Sequence, residues 1–186
     1  MTVADPGGLR RGQLALLEAV TEACRHVFDA GACSVAVVDD GGDALFYAAA
    51  SGRGAAGIVG VRLPLGSGIA GWVATSGQPV EVADATADPR HATDVAEQAG
   101  YVPRALVTVP LLDDDGDTIG VLQVLDRGAA ARSDDLSTVA LFARIAALAL
   151  PDRDVLESGA APLALSARER AGAQRMLETL LDAVRD

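Results

Sequence analysis

LPLGSGIAGWVATSGQPVEVADATADPRH (residues 63–91) and, after a short helical stretch, RALVTVPLLDDDGDTIGVLQVLDR (104–127) decide how this chain folds. The first segment reads as strand, cap, helix and stop. Leu63, Pro64 and Leu65 end a β run, Ser67 is placed to accept a backbone N–H as N-cap, and Ile69, Trp72 and Val73 recur at helical spacing before Gly77 ends the turn in a left-handed conformation. Gly68 and Gly71 remove side chains where helix and sheet would approach closely. A short strand is expected at 80–83, followed by a loop, ADATADPRH, of Asp and Pro turn formers. In 104–111, Ala105, Val107, Val109 and Leu111 alternate with Leu106 and Thr108; 119–125 repeats the pattern beyond the acidic turn 113–117. That arrangement predicts a β-hairpin.

Outward from this region, Leu14, Leu17, Val20, Cys24, Val27 and Phe28 recur at three- and four-residue intervals, an amphipathic helix expected to close at Gly31. Strands are expected at 33–38 and 44–50 around the DDGGD turn, then a flexible loop, SGRGAAG, and a further strand at 58–65. Ala92, Val95, Ala96 and Ala99 form a short helix ended by Gly100, and a long helix is expected over 133–150 with Asp134 and Asp135 at its positive end. Apolar residues lie on two sides of that last helix, which should therefore be covered twice. The organisation expected is one domain over 1–150, a linker over 151–165 and a capped amphipathic helix over 166–186. That helix either folds back or pairs with a second chain.

A chain of 186 residues holds one ordinary domain with a sizeable core. Net charge of −11 argues against binding nucleic acid or an anionic membrane, whose phosphates would be repelled. The first residues lack the apolar stretch of a signal peptide and nothing is long enough to span a bilayer, so a cytoplasmic protein is expected. Cys24 and Cys33 offer neither a disulfide framework nor metal-ligand spacing, and read as small buried hydrophobes.

Taken in order, LGSGIAGWVATSGQPVEVAD, DPRH, ALVTVPL with its Pro110, and GVLQVLDR followed by SDDL resemble the recurring segments of the GAF family, over residues 9–150. The resemblance implies an α+β fold of GAF-like (profilin/PAS-like) type: a central antiparallel sheet of five to six strands, terminal helices on one face, short helices and loops on the other. It also implies that any ligand sits between the sheet and the second layer, and that terminal helices form a two-fold bundle, hence a homodimer.

The chemistry used by some relatives is missing. Relatives that reduce free methionine sulfoxide carry a cysteine in a Gly-Val-Cys-Gly segment resembling 68–71, where this chain has Ala70 and has no cysteine anywhere in 63–127. A bilin-attaching cysteine and a haem-ligating histidine before 104–111 are absent too, since Gly100, Tyr101, Val102 and Pro103 fill that interval. The Asn-Lys…Phe…Asp-Glu pattern of cyclic-nucleotide binders is replaced by Leu125, Asp126, Arg127, Arg132, Ser133, Asp134 and Asp135. The acids of 113–117 read as an exposed turn, not a metal site. His26 reads as a partly exposed helical residue, and His91 either caps the next helix or joins Asp84, Asp88 and Arg90 at a pocket.

The expectation is a non-catalytic sensory or regulatory module without cofactor or metal, binding an unidentified small molecule or a signalling protein. Candidate pocket residues are Phe46, Trp72, Asp84, His91, Tyr101 and Arg104, which combine apolar walls with polar handles. An interaction protein with a self-filled pocket is the alternative. A cofactorless enzyme built on His91 is a weaker one.

Overall fold

The structure is a computed structural model that describes residues 9–90, 93–128 and 135–150. Helix α1 (Arg11–Val27) leads into β1 (Ala32–Val38) and β2 (Ala44–Gly52). A single helical turn, α2 (Ala55–Ile58), precedes the short β3 (Arg62–Pro64), α3 (Gly68–Ser76) and β4 (Val80–Val82). A 3-10 turn (Ala85–Ala87) and α4 (Thr93–Ala99) lead to β5 (Leu106–Leu112), β6 (Thr118–Leu125) and α5 (Asp135–Ala147). The strands form one antiparallel sheet of six in the order β3-β2-β1-β6-β5-β4. This is the α+β, GAF-like arrangement the sequence implied.

Period-two alternation sorts the strand side chains into two layers. On one face Cys33, Val35 and Val37 of β1, Val107, Val109 and Leu111 of β5, and Leu122 and Val124 of β6 meet Leu17, Val20 and Cys24 of α1 and Val139, Phe142 and Ala146 of α5. Each fully buried Leu or Val in this layer contributes roughly 1.5–3 kcal/mol relative to leaving it in water. On the other face Ala36, Leu45, Tyr47, Leu63 and Val121 pack with Ala70 and Val73 of α3. Small side chains dominate this second layer, so it does not close completely.

The predicted hairpin is present, and its turn is fixed by Asp113, whose carboxylate accepts the backbone N–H of Asp115 (3.2 Å) and of Asp117 (2.8 Å). Gly77 ends α3 at φ 65°, as its position in the sequence implied. Other expectations need correction. Ser67 stands at the N-cap of α3 but its side chain accepts no backbone N–H. Gly71 is small because a Cβ there would come within 2.7 Å of the Gly66 backbone, so it fits α3 to its own preceding turn and not to the sheet. The first helix stops at Val27, and the left-handed residue after it is Asp29 (φ 46°), not Gly31. The strand expected at 58–65 is reduced to Arg62–Pro64, because Ala55–Ile58 turns helically beside α4 instead. The linker and capped helix of 151–186 lie outside the described residues.

Candidate ligand-binding site

Between the sheet and the layer formed by α2, α3 and α4 lies a cavity of about 80 Å³. Its floor includes Ala50, Ser34 and Gln123 at the centre of the sheet, which continue in register to Thr108 and Val80 across five strands. Three polar residues therefore lie side by side in strands otherwise filled with Val, Leu and Ala. Gln123 organises them: its Oε1 accepts the Tyr47 hydroxyl (3.1 Å) and its Nε2 donates to Thr108 Oγ1 (3.1 Å). Thr108 is completely buried, and Tyr47 and Gln123 nearly so. Burial pushes the Tyr47 hydroxyl up to about 12, so it stays protonated as the donor of this chain. Ser34 borders the cavity, is only 4% exposed, and has no hydrogen-bond partner for its hydroxyl among the described residues.

The walls are apolar. Ile58 of α2, Ile69 and Ala70 of α3, and Val95, Ala96 and Ala99 of α4 enclose the space, with Leu63, Leu106 and Leu125 completing it from the strands. At one end Tyr101 and Arg53 form the rim, the Arg53 guanidinium lying 5.6 Å from the centre of the Tyr101 ring. Tyr101 is fixed from behind by its hydroxyl, which donates to Asp126 Oδ2 (2.5 Å). Asp126 Oδ1 in turn accepts the N–H groups of Arg104 and Ala105, both at 2.9 Å. Burial, then the Asp126 bond, raise the Tyr101 hydroxyl to about 12.

Of the residues the sequence suggested for the pocket, Tyr101 lines the cavity. Phe46 lies on the opposite face, in the core beneath α1 and α5. The alternation of β2 turns its neighbour Tyr47 toward the cavity instead, and a one-position error in parity moves a side chain to the other layer. Trp72 is half-buried on α3 outside the lining, with the Arg90 guanidinium 4.6 Å from its ring centre. Arg90 is held there by Asp88 through its Nε (2.9 Å) and Nη2 (2.7 Å), so this trio fastens the Asp/Pro loop onto α3. Asp84 caps the 3-10 turn by accepting the Thr86 N–H and hydroxyl, bonds that hold its carboxyl below the usual range. Arg104 is exposed and contributes its backbone N–H to Asp126. His91 lies outside the described residues. Sequence reasoning missed Ser34, Tyr47, Arg53 and Gln123; the available signal was a polar residue inside an apolar strand at Ser34, Thr108 and Gln123.

A six-stranded antiparallel sheet carrying its terminal helices on one face and a cavity under short helices on the other is matched by known proteins. The GAF domain family matches residues 14–150. The chain belongs to the GAF domain family. The GAF domain of a phosphoenolpyruvate-protein phosphotransferase from Coxiella burnetii superposes with a TM-score of 0.65 at 22% identity, covering 82% of this chain and 89% of that one. A free methionine-R-sulfoxide reductase of Neisseria meningitidis, solved in complex with its substrate, gives 0.61 at 25% identity over 74% and 77% of the two chains. Among curated relatives, the dual 3',5'-cyclic-AMP and -GMP phosphodiesterase 11 of Drosophila melanogaster is 45% identical over 67 residues, 36% of this chain and 5% of that protein. Phosphodiesterase 11A of Takifugu rubripes is 29% identical over 125 residues, 66% of this chain and 13% of that protein. The GAF chain thus spans between 5% and 13% of the length of these relatives.

Both cysteines of this GAF domain are buried. Cys33 borders the cavity from β1, but its thiol meets that of Cys24 in the core beneath α1. Burial, then contact with the Cys33 thiol, raise the Cys24 thiol well above its ordinary value, the opposite of what a reactive thiolate needs.

Proposed function

We propose that this GAF domain is a non-catalytic sensory or regulatory module that binds a small molecule between its sheet and its short helices. The observation that carries this reading is the cavity itself, floored by a polar row and bounded by apolar walls, with the Ser34 hydroxyl left for a ligand to engage. An enclosed apolar space with a few convergent polar groups is the usual form of a small-molecule site. Among the described residues that line it there is no histidine, carboxylate or lysine to serve as general acid or base, and the Cys33 thiol is engaged elsewhere. The reductase activity of the Neisseria meningitidis relative and the activity named for the phosphodiesterases are therefore not part of the proposal.

Occupancy would be felt by β1 and β6, whose opposite faces carry α1 and α5, and the signal would pass to a partner or a second copy through those helices. A cytoplasmic homodimer is the setting proposed. Native mass spectrometry of the full chain purified from its own cells tests the binding. Retention of a stoichiometric small molecule, lost in an Ala70→Phe variant that fills the cavity, is the expected result. The bare chain mass alone, with no adduct under gentle conditions, points to the self-filled interaction protein instead.

A further inference from the structure

The charge around the cavity is one-sided. Arg53 is the one charged residue among the described residues that line it, in a chain whose acidic residues outnumber its Lys and Arg by 26 to 15. Four other arginines are matched, Arg25 with Glu22, Arg62 with Asp39, Arg90 with Asp88 and Arg127 with Glu81, and none of the four borders the cavity. Arg53 has no such ion pair among the described residues, and its guanidinium rests on the Tyr101 ring instead. The nearby carboxylate of Asp126 is already committed to the Tyr101 hydroxyl and two backbone N–H groups. Gly68, Ile69 and Ala70, the first residues of α3, also border the cavity, so the partial positive end of that helix adds to the same sign.

We infer that the ligand is an organic monocarboxylate with an uncharged, largely apolar body, its carboxylate paired with Arg53 at the rim and its far end hydrogen-bonded by Ser34 on the floor. This rests on the ligand-binding reading above and adds the chemical class. A guanidinium presents paired donors that match a carboxylate, and the cation–π contact with Tyr101 draws Arg53 to the rim without neutralising it. One cation suits one negative charge; a phosphate monoester would bring a second charge that nothing described around the cavity balances. A free amino acid would set its ammonium against Val, Ile and Ala with no described acid to receive it.

The test uses the full chain and a graded series, 3-methylbutanoate, phenylacetate and 4-hydroxyphenylacetate, each beside its primary amide, the last carrying a far-end hydroxyl for Ser34, with L-valine as the zwitterionic counterpart of the first. Binding is followed by amide shifts in ¹H–¹⁵N spectra. At least one carboxylate should bind roughly tenfold more tightly than its amide, the loss of one charge-assisted hydrogen bond. In Arg53→Gln, an exposed position where folding is not at stake, that preference should disappear, the acid losing more affinity than its amide. L-valine should bind more weakly than 3-methylbutanoate. Amides binding as well as acids, a preference that survives Arg53→Gln, or no binding across the series would each overturn the carboxylate assignment. If native mass spectrometry still finds a retained small molecule, the ligand-binding reading stands and only the class falls; if it finds none, both fall.

Discussion

Gly31 is where a single atom decides the rim of the cavity. A Cβ added there would lie 2.3 Å from the Tyr101 hydroxyl, pushing the ring from Asp126 and from beneath Arg53. Gly31→Ala should therefore destabilise by about 1–3 kcal/mol, as overpacking does, measured by denaturant unfolding. Because the clash is with the hydroxyl, adding Tyr101→Phe should recover part of that loss; strictly additive costs would mean the two sites are uncoupled. On the floor, Gln123→Leu strands the buried Tyr47 and Thr108 hydroxyls and should cost about 1–3 kcal/mol in the same assay. Much of this scale was not legible in the sequence. Gly31 reads as a helix stop because glycine so often is one, whereas its role comes from a tyrosine 70 positions later in the chain. Phe46 and Tyr47 are adjacent aromatics, and choosing between them needs the strand's parity, which the β-bulge between Val35 and Ala36 disturbs.

At the scale of elements the sequence was more informative, because long periodic runs carry redundant signal. The β5–β6 hairpin, α3 with its Gly77 stop, and α1 are found where alternation and spacing place them. The segment around α2 and β3 was not legible: Ile58, Val61, Leu63 and Leu65 alternate loosely enough to suggest a strand, but packing of α2 beside α4 overrides that local preference. Helix α5 was expected to need cover on two sides. One side is met by the core through Val139, Phe142 and Ala146, whereas Leu141 and Leu148 remain 56% and 61% exposed. If the proposed homodimer uses this second side, Leu141→Glu with Leu148→Glu should lower the mass measured by light scattering while leaving helical circular dichroism unchanged. An unchanged oligomer would remove α5 from the interface.

For the whole molecule, the two layers differ in purpose: one face of the sheet is closed by large apolar side chains, the other is left open over polar groups. The titrating groups bound the pH range in which this holds. Asp39, despite desolvation that opposes it, is held below its ordinary 3.8 by the N–H groups of Ala44 and Asp43 and by Arg62, so its contribution is present above that value and lost as pH falls through the folded one. Tyr47 and Tyr101 are raised from 10.0 to about 12, so their contribution is complete below pH 10 and lost as pH rises toward 12. Unfolding free energy should accordingly fall in both directions from a plateau at intermediate pH, with phenolate absorbance appearing late on the alkaline side; Tyr47→Phe should make that limb shallower, leaving the Tyr101 contribution. The family and its layers could be seen in the order of the glycine, proline and valine segments, but the cavity could not, because it arises where small side chains from α2, α3 and α4 fail to fill the space over Ser34 and Gln123. A crystal structure of the full chain isolated from its own cells tests the central claim most directly. The account predicts ligand density between the sheet and the short helices, touching Ser34 on the floor and Arg53 at the rim; a space closed by the chain's own Tyr101, Ile69 and Leu63 would contradict it.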